Sequence, residues 1–499
     1  MGSRPPGHRT RAVMPLNILL AASEFAPLAK TGGLADVCAA LSAYLHGEGH
    51  DVRVLLPRYA TLRDEGLAVR PVDFLQDIPV RIGGWEGRYS IDTATLPGSG
   101  LPIYLLRCPE AYDRRGLYTN DGDEHARFVL LSRAALEMCQ RMGFAPDIVH
   151  AHDWHTALMP LYLKTRYAWD GLFANTRSVL TIHNIGYQGV FGAGIVPDLG
   201  LRGGEGQLHQ EDLAAGRVNF LKTGLLHADV LTTVSPTYAR EICGPEYGMG
   251  LDGLLRARSG SLVGILNGVD YGEWDPATDP LIPANYGPDD LAGKAECKRW
   301  LLGELGMEVA PGRPLIGIVS RLVAQKGFDL VQRVLPGVLQ RRDAAVAILG
   351  SGEPHFEHFF GWLQAAFPGR VCFWRGYNER LAHCVEAGAD LFLMPSVYEP
   401  CGLNQMYSLK YGTVPIVRET GGLADSVQLA DAGARTGTGV VFRHYDEAGL
   451  RWALDYALDI YGQPEVYGAI QRNGMAMDFS WARQGARYVE LFRALRGTA

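Results

Sequence analysis

Apolar runs alternate with stretches of helical spacing along nearly the whole chain. LNILLAAS (16–23) is a continuous apolar run, the mark of a strand buried on both faces. LADVCAALSAYLHGEGH (34–50) follows with helical apolar spacing and Gly49 near its end. DVRVLLP (51–57) is the next strand, and PDIVHAHD (146–153), RSVLTIHN (177–184) and ADVLTTVS (228–235) continue the series. The pattern then restarts with RPLIGIVSRL (313–322), AAVAILGSG (344–352), VCFWRGY (371–377), ADLFLMPS (389–396), VPIVRET (414–420) and TGVVF (438–442). The tail DFSWARQGARYVELFRALRG (478–497) reads as an amphipathic helix. Segments around 60–100 and 195–215 keep neither period and read as irregular insertions.

Strands alternating with helices imply parallel sheets with right-handed crossovers. Two such series predict an α/β chain of two Rossmann-like domains. The expected division is a leader over 1–14, a first domain over 15–262, a second over 263–477 and a C-terminal helix over 478–499. A chain of 499 residues is long enough for two cores.

Composition narrows the partners. A net charge of −7 without a long basic run argues against nucleic acid or an anionic membrane as the main partner. No apolar run approaches a membrane span. The eight cysteines are scattered and form no CxxC pair, which favours a reduced, cytoplasmic setting. The leader MGSRPPGHRTRAV lacks the apolar core of a signal peptide, and Met14 is the natural start of the fold. Only seven of the 47 basic residues are lysine, a scarcity that ranks lysines found at strand ends as candidates for chemistry.

In open parallel sheets, ligands sit beyond the carboxyl ends of the strands. SEFAPLAKTGGLAD (23–36) follows the first strand and opens the first helix. Gly32 and Gly33 allow close backbone approach, the helix start favours an anion, and Lys30 adds a full charge. In SRLVAQKGFDL (320–330), Arg321 and Lys326 suit a diphosphate: a planar fork and a compact point charge. In SVYEPCGLNQMYSLKYG (396–412), Pro400 fits a first helical turn, and Cys401, Gly402 and Leu403 would present backbone amides. Glu399 beside them would repel phosphate, but it makes sense as an acceptor for hydroxyls of a neutral group joined to that phosphate, as in a sugar nucleotide. HAHDWH (150–155) places three histidines and an aspartate within six residues. Their spacing matches no tetrahedral metal site, so hydrogen bonding to a polyol is preferred, with Asp153 a substrate-binding candidate. Trp154, Tyr187 and Tyr377 could stack on sugar rings or a base, or belong to the core. TGGLAD itself occurs twice, at 31–36 and 420–425. Lys30 precedes the first copy, which is assigned to the anionic donor. Glu419 precedes the second, which is expected to act through close backbone packing.

Together KTGGLADV, VHAHDWHT, TIHNIGYQG, ILNGVD, VSRLVAQKG, EPCGLNQMYSLKYGT and RETGGLADSV resemble the bacterial glycogen synthases and plant starch synthases. These are retaining glucosyltransferases of the two-domain GT-B fold. The likeness runs in order from about Leu16 to the C-terminal helix. It implies a cleft between the domains, an acceptor-side first domain, a nucleotide-sugar second domain and a last helix packing back on the first. It implies ADP-glucose as donor and glycogen or another α-1,4-glucan as acceptor, with no cofactor and no metal. By the family pattern, Lys30 and the glycines after it lie against diphosphate and glucose, and Asp36, Asn267 and Tyr377 help hold the donor. Arg321 and Lys326 match the pair on the diphosphate. Glu399 matches the carboxylate near the donor glucose, with the Cys401 and Gly402 amides beside it. His183 matches a histidine near the glucose 6-hydroxyl, and Glu24 and Tyr118 match acceptor-side positions. Many retaining GT-B enzymes carry a second glutamate eight residues after the first. Here that position is Tyr407, as in the synthases resembled, which argues against any mechanism needing paired glutamates. Rival readings are a UDP-glucose enzyme of the same fold, a glucan phosphorylase and a non-catalytic glucan-binding protein.

Overall fold

The structure, a computed structural model, describes residues 14–62, 66–201 and 203–497; the expected leader, short of Met14, lies outside them. By packing, the chain forms two units: Met1–Leu180 with Tyr187–Asp229 and Val489–Ala499, and Thr181–Gly186 with Val230–Tyr488.

The first unit is built on β1 (Asn17–Ala21), β2 (Asp51–Pro57), β3 (Arg70–Pro71), β4 (Ile78–Ile82), β5 (Trp85–Thr95), β6 (Pro102–Arg107), β7 (Ile148–His152) and the start of β8 (Arg177–Ile182). Their order is β8-β7-β1-β2-β6-β5-β3, with β4 on β5. β1 pairs in parallel with β2 and with β7, Asn17 facing Asp51 and Ile18 facing Ile148. β7 is buried along its whole length, as a strand covered on both faces must be. Within the segment 60–100, residues 70–95 are not irregular. They add an antiparallel edge, because Gly83 and Gly84 form the two-residue turn between β4 and β5. Its signal was a Gly-Gly pair flanked by IPVRI, whose burial alternates in strand fashion. A short hairpin, β9 (Val190–Gly192) with β10 (Arg217–Asn219), brackets short helical pieces at Ala193–Leu199, Glu205–Gln207 and Gln210–Ala214.

The second unit holds the parallel pair β11 (Val230–Thr233) and β12 (Leu262–Gly264). Its main sheet uses β13 (Leu315–Leu322), β14 (Ala345–Gly352), β15 (Val371–Arg375), β16 (Leu391–Met394), β17 (Val414–Arg418) and β18 (Val440–Phe442), in the order β15-β14-β13-β16-β17-β18. Counted from β13, this is 3-2-1-4-5-6, the doubly wound Rossmann order. One face is sealed by Phe328, Phe356 and Phe360, all buried and in edge-to-face contact.

The chain passes into the second unit at Val230, earlier than residue 263. The helix Pro236–Glu241 is the reason: Thr237 donates its N–H and hydroxyl to Asp425, and Glu241 accepts from Thr420 and Gly421, all within that unit. The last helix, Trp481–Gly497, belongs from Val489 onward to the first unit. There Phe492 packs on His150 and Arg496 pairs with Asp147 at 3.3 Å.

Candidate functional site

Both sheets reverse strand order at their centre, so each has a switch point: β1/β7 in the first unit and β13/β16 in the second. The carboxyl ends at a switch point splay apart and leave room for a ligand. The candidate residues gather at these two places.

In the first unit, Glu24 follows β1 and is nearly fully buried. Its carboxylate accepts from Thr31 N (2.6 Å), Thr31 Oγ1 (2.7 Å), Gly32 N (3.1 Å) and Tyr118 OH (2.6 Å). The free N–H groups ahead of the helix Gly33–Gly47 are thus held by an anion of the protein itself. Burial and the neighbouring Glu24 push the Tyr118 phenol far above its ordinary range, so it stays a donor. Lys30 is half-exposed and reaches Asp36 at 2.7 Å. Asp153, at positive φ, starts a helical turn after β7. Burial first, then the negative charges of Glu24, Asp153 and Asp36, raise the Cys38 thiol well above its usual value. His150, His152, His155 and Trp154 are buried; Trp154 packs edge-on against Phe128, and a side chain at Gly189 would meet its ring. Trp154 is therefore core, whereas Tyr187 is exposed.

In the second unit, Lys326 Nζ lies 2.6 Å from Glu399 Oε2, which also accepts from Ser396 Oγ at 2.9 Å. Glu399 is 5% exposed. Arg321, at the exposed end of β13, has no ion-pair partner among the described residues. The helix starts at Asn404, later than a helical Pro400 requires, because Gly402 at φ +71° breaks the approach. The N–H groups of Cys401, Gly402 and Leu403 have no acceptor among the described residues. Burial lifts the Cys401 thiol to about 12, and Asn267 contacts it. Asn267 is buried with Oδ1 unsatisfied. His183, on the segment joining this unit beside β11, is buried and its pKa falls to about 3, by desolvation alone. Tyr377 follows β15 and is largely exposed. Tyr407 stacks on Trp274, their rings 3.9 Å apart and 2° from parallel.

The second TGGLAD lies directly under this loop. A side chain at Gly421 would fall 1.8 Å from the Glu399 carbonyl oxygen, and one at Gly422 2.0 Å from that of Cys401. Here too a glutamate takes the turn: Glu241 accepts from Gly421 N and Thr420 Oγ1, while Glu419 is drawn off to Arg443. Sequence reasoning missed Glu241 and the helix it ends, since nothing local ties residue 241 to residue 421. Lysine scarcity proved a poor guide: Lys294 and Lys298 are buried, the first bonding the Ala387 carbonyl and Thr413, the second Asp390.

Two doubly wound units, the second with Arg321, Lys326 and Glu399 at its switch point, are the architecture of the GT-B class of glycosyltransferases. The comparisons agree. Residues 17–257 match the starch synthase catalytic domain and residues 308–474 the group 1 glycosyl transferases. The chain is 47% identical to glycogen synthase 1 of Geobacter sulfurreducens, covering 96% of this chain and 97% of that one. It is also 47% identical to the glycogen synthase of Myxococcus xanthus, covering 96% and 99%. The catalytic domain of starch synthase IV from Arabidopsis thaliana, solved bound to ADP and acarbose, superposes with a TM-score of 0.89 at 35% identity, covering 97% of this chain and 100% of that one. Sucrose-phosphate synthase from Thermosynechococcus elongatus shares the fold, with a TM-score of 0.60 at 17% identity. The chain belongs to the glycogen and starch synthase family.

Proposed function

We propose that the protein transfers glucose from ADP-glucose to the non-reducing end of an α-1,4-glucan with retention of configuration. The observation that carries this is the β13/β16 mouth: Lys326 against Glu399, with Arg321 and the Cys401, Gly402 and Leu403 amides, which among the described residues have no ion-pair partner and no acceptor respectively. A pure glucan-binding protein needs no such cation pair. The ADP of the Arabidopsis enzyme and the names of the bacterial relatives support the donor and acceptor classes.

In this reading the bond between the anomeric carbon and the phosphate oxygen breaks as charge moves onto the leaving ADP. Fixed cations hold that charge better in the transition state than in the ground state, and Arg321 and Lys326 supply them. The acceptor hydroxyl attacks from the same face, and its proton passes to the departing phosphate oxygen. Glu399 is buried and already tied to Lys326 and Ser396, which suits a group that positions the donor rather than a covalent nucleophile. By the family pattern, Lys30, Gly32, Gly33, Asp36, Asn267, Tyr377 and His183 are the further donor candidates, Glu24 and Tyr118 the acceptor-side candidates, and Asp153 a substrate-binding candidate.

The test is incubation with radiolabelled ADP-glucose and glycogen. Label should enter the glucan and be released by an exo-acting α-1,4 hydrolase, with UDP-glucose at least tenfold poorer. No incorporation, or a preference for UDP-glucose, removes the reading.

A further inference from the structure

One cluster in the second unit lies outside every residue assigned above. Glu379 opens the helix Glu379–Gly388, and His383 follows four residues later on the same face. Helical side chains lean toward the N-terminus, so the imidazole reaches back toward Glu379. Glu273 comes from the turn after β12, whose N–H closes on the Asp270 carbonyl at 3.2 Å. One ligand-type atom from each of Glu273, Glu379 and His383 lies within 4.8 Å of the other two.

The histidine is what turns an exposed acidic pair into a site. Its side chain is fully buried, and Nδ1 lies 2.8 Å from Asp279 Oδ2, which itself accepts from Tyr411 OH at 2.6 Å. That carboxylate takes up Nδ1 and orients the ring. Nε2 is buried with no hydrogen-bond partner. Trp274 stacks on the ring at 3.7 Å and 16°, and Tyr407 backs Trp274, so the imidazole is held in one orientation. A buried polar ring atom left without a partner is costly. A carboxylate–histidine pair presenting a free ring nitrogen is the arrangement that orients metal-bound histidines.

We propose that Glu273, Glu379 and His383 bind one divalent metal ion of the borderline class, such as Zn²⁺, with Asp279 as the group that orients His383. One imidazole and two carboxylates favour such ions over Mg²⁺ or Ca²⁺. Ligands around a tetrahedral zinc at about 2.0–2.2 Å stand roughly 3.3 Å apart. The two exposed glutamates close the remaining distance by rotation, and water completes the shell. The ion clamps the turn after β12 to the start of the helix that follows Tyr377. It takes no part in glucosyl transfer.

The full chain, free of any histidine tag and stripped with chelator, is titrated with Co²⁺ and then Zn²⁺. One equivalent of Co²⁺ should bind with a visible d–d band that Zn²⁺ abolishes, and Zn²⁺ should raise the melting temperature. The double variant Glu273→Gln/Glu379→Gln alters exposed side chains only. It should keep the metal-free melting temperature, lose the band and bind about 100-fold more weakly. Absence of the band in the unaltered protein overturns the proposal, as does a band that survives in the double variant.

Discussion

Glu24 and Glu241 show how one residue type serves the two TGGLAD turns. Each is buried or half-buried, each takes the turn amide and the threonine hydroxyl, and neither lies next to the hexamer in sequence. Arg321 and Lys326 are different: Arg321 stands at the exposed end of β13, and Lys326, mostly buried, sets its charge beside Glu399. Replacing either by alanine should lower kcat by about 10²–10³, as for one lost electrostatic stabiliser; Arg321→Ala should leave the melting temperature unchanged, whereas Lys326→Ala removes the ion partner of the buried Glu399 and should lower it. Near-normal turnover in both variants would show that the phosphate is stabilised elsewhere. His183 gives a stability test. Its folded pKa of about 3 lies below the ordinary 6.5, so the unfolded chain binds the extra proton between those values. Stability is therefore lost as pH falls from 6.5 toward 3, by about 2 kcal/mol between pH 7 and 5. Urea unfolding of the native chain and His183→Gln at both pH values measures the difference, and equal slopes would contradict a buried neutral imidazole.

At the scale of elements, the two copies of TGGLAD open helices of different kinds. The helix Gly33–Gly47 is long, and no atom lies near the place a side chain at Gly32 would occupy. The helix Gly421–Ser426 is short, has Gly421 at φ +45° and presses on the Glu399–Cys401 backbone. Gly421→Ala should cost more than about 2 kcal/mol, by overpacking and strain together. Gly32→Ala should change stability by less than about 0.5 kcal/mol. Chemical denaturation of the two variants compares them directly, and equal costs would mean the hexamers are equivalent after all. The short helix is also held by reciprocal capping, Asp425 on the start of Pro236–Glu241 and Glu241 on the start of Gly421–Ser426. The strand series, the doubly wound second sheet and the strand ends near Arg321, Lys326 and Glu399 were legible in the sequence, because buried parallel strands are continuous apolar runs and their ends carry Gly turns. The Glu241 cap was not, since its partner lies far along the chain. Nor was the β4–β5 hairpin, where the long β5 mixes polar residues into its pattern and hides its period. Nothing local marks His383, since only folding brings Asp279 and Trp274 to its ring.

Across the whole molecule, neither unit is one continuous piece of chain. The first needs Val489–Gly497, whose Phe492 covers His150 and whose Arg496 pairs with Asp147 on the loop before β7. The second keeps everything it needs through Tyr488, including Trp481 against Gly268 and Ser480 bridged to Val269. A chain ending at Tyr488 therefore strips an apolar cover from the first unit and leaves the second intact. Uncovering one buried aromatic costs about 3 kcal/mol or more, enough to raise local opening of β7 and β1 by two orders of magnitude. Arg321, Lys326 and Glu399 belong wholly to the second unit, so ADP should still bind the shortened chain within threefold. Hydrogen exchange should show faster exchange in β1 and β7 and unchanged rates in β13 and β16, with calorimetry reporting the ADP affinity. If ADP binding collapses while β1 and β7 stay protected, the last helix serves the nucleotide site instead of the first unit's core.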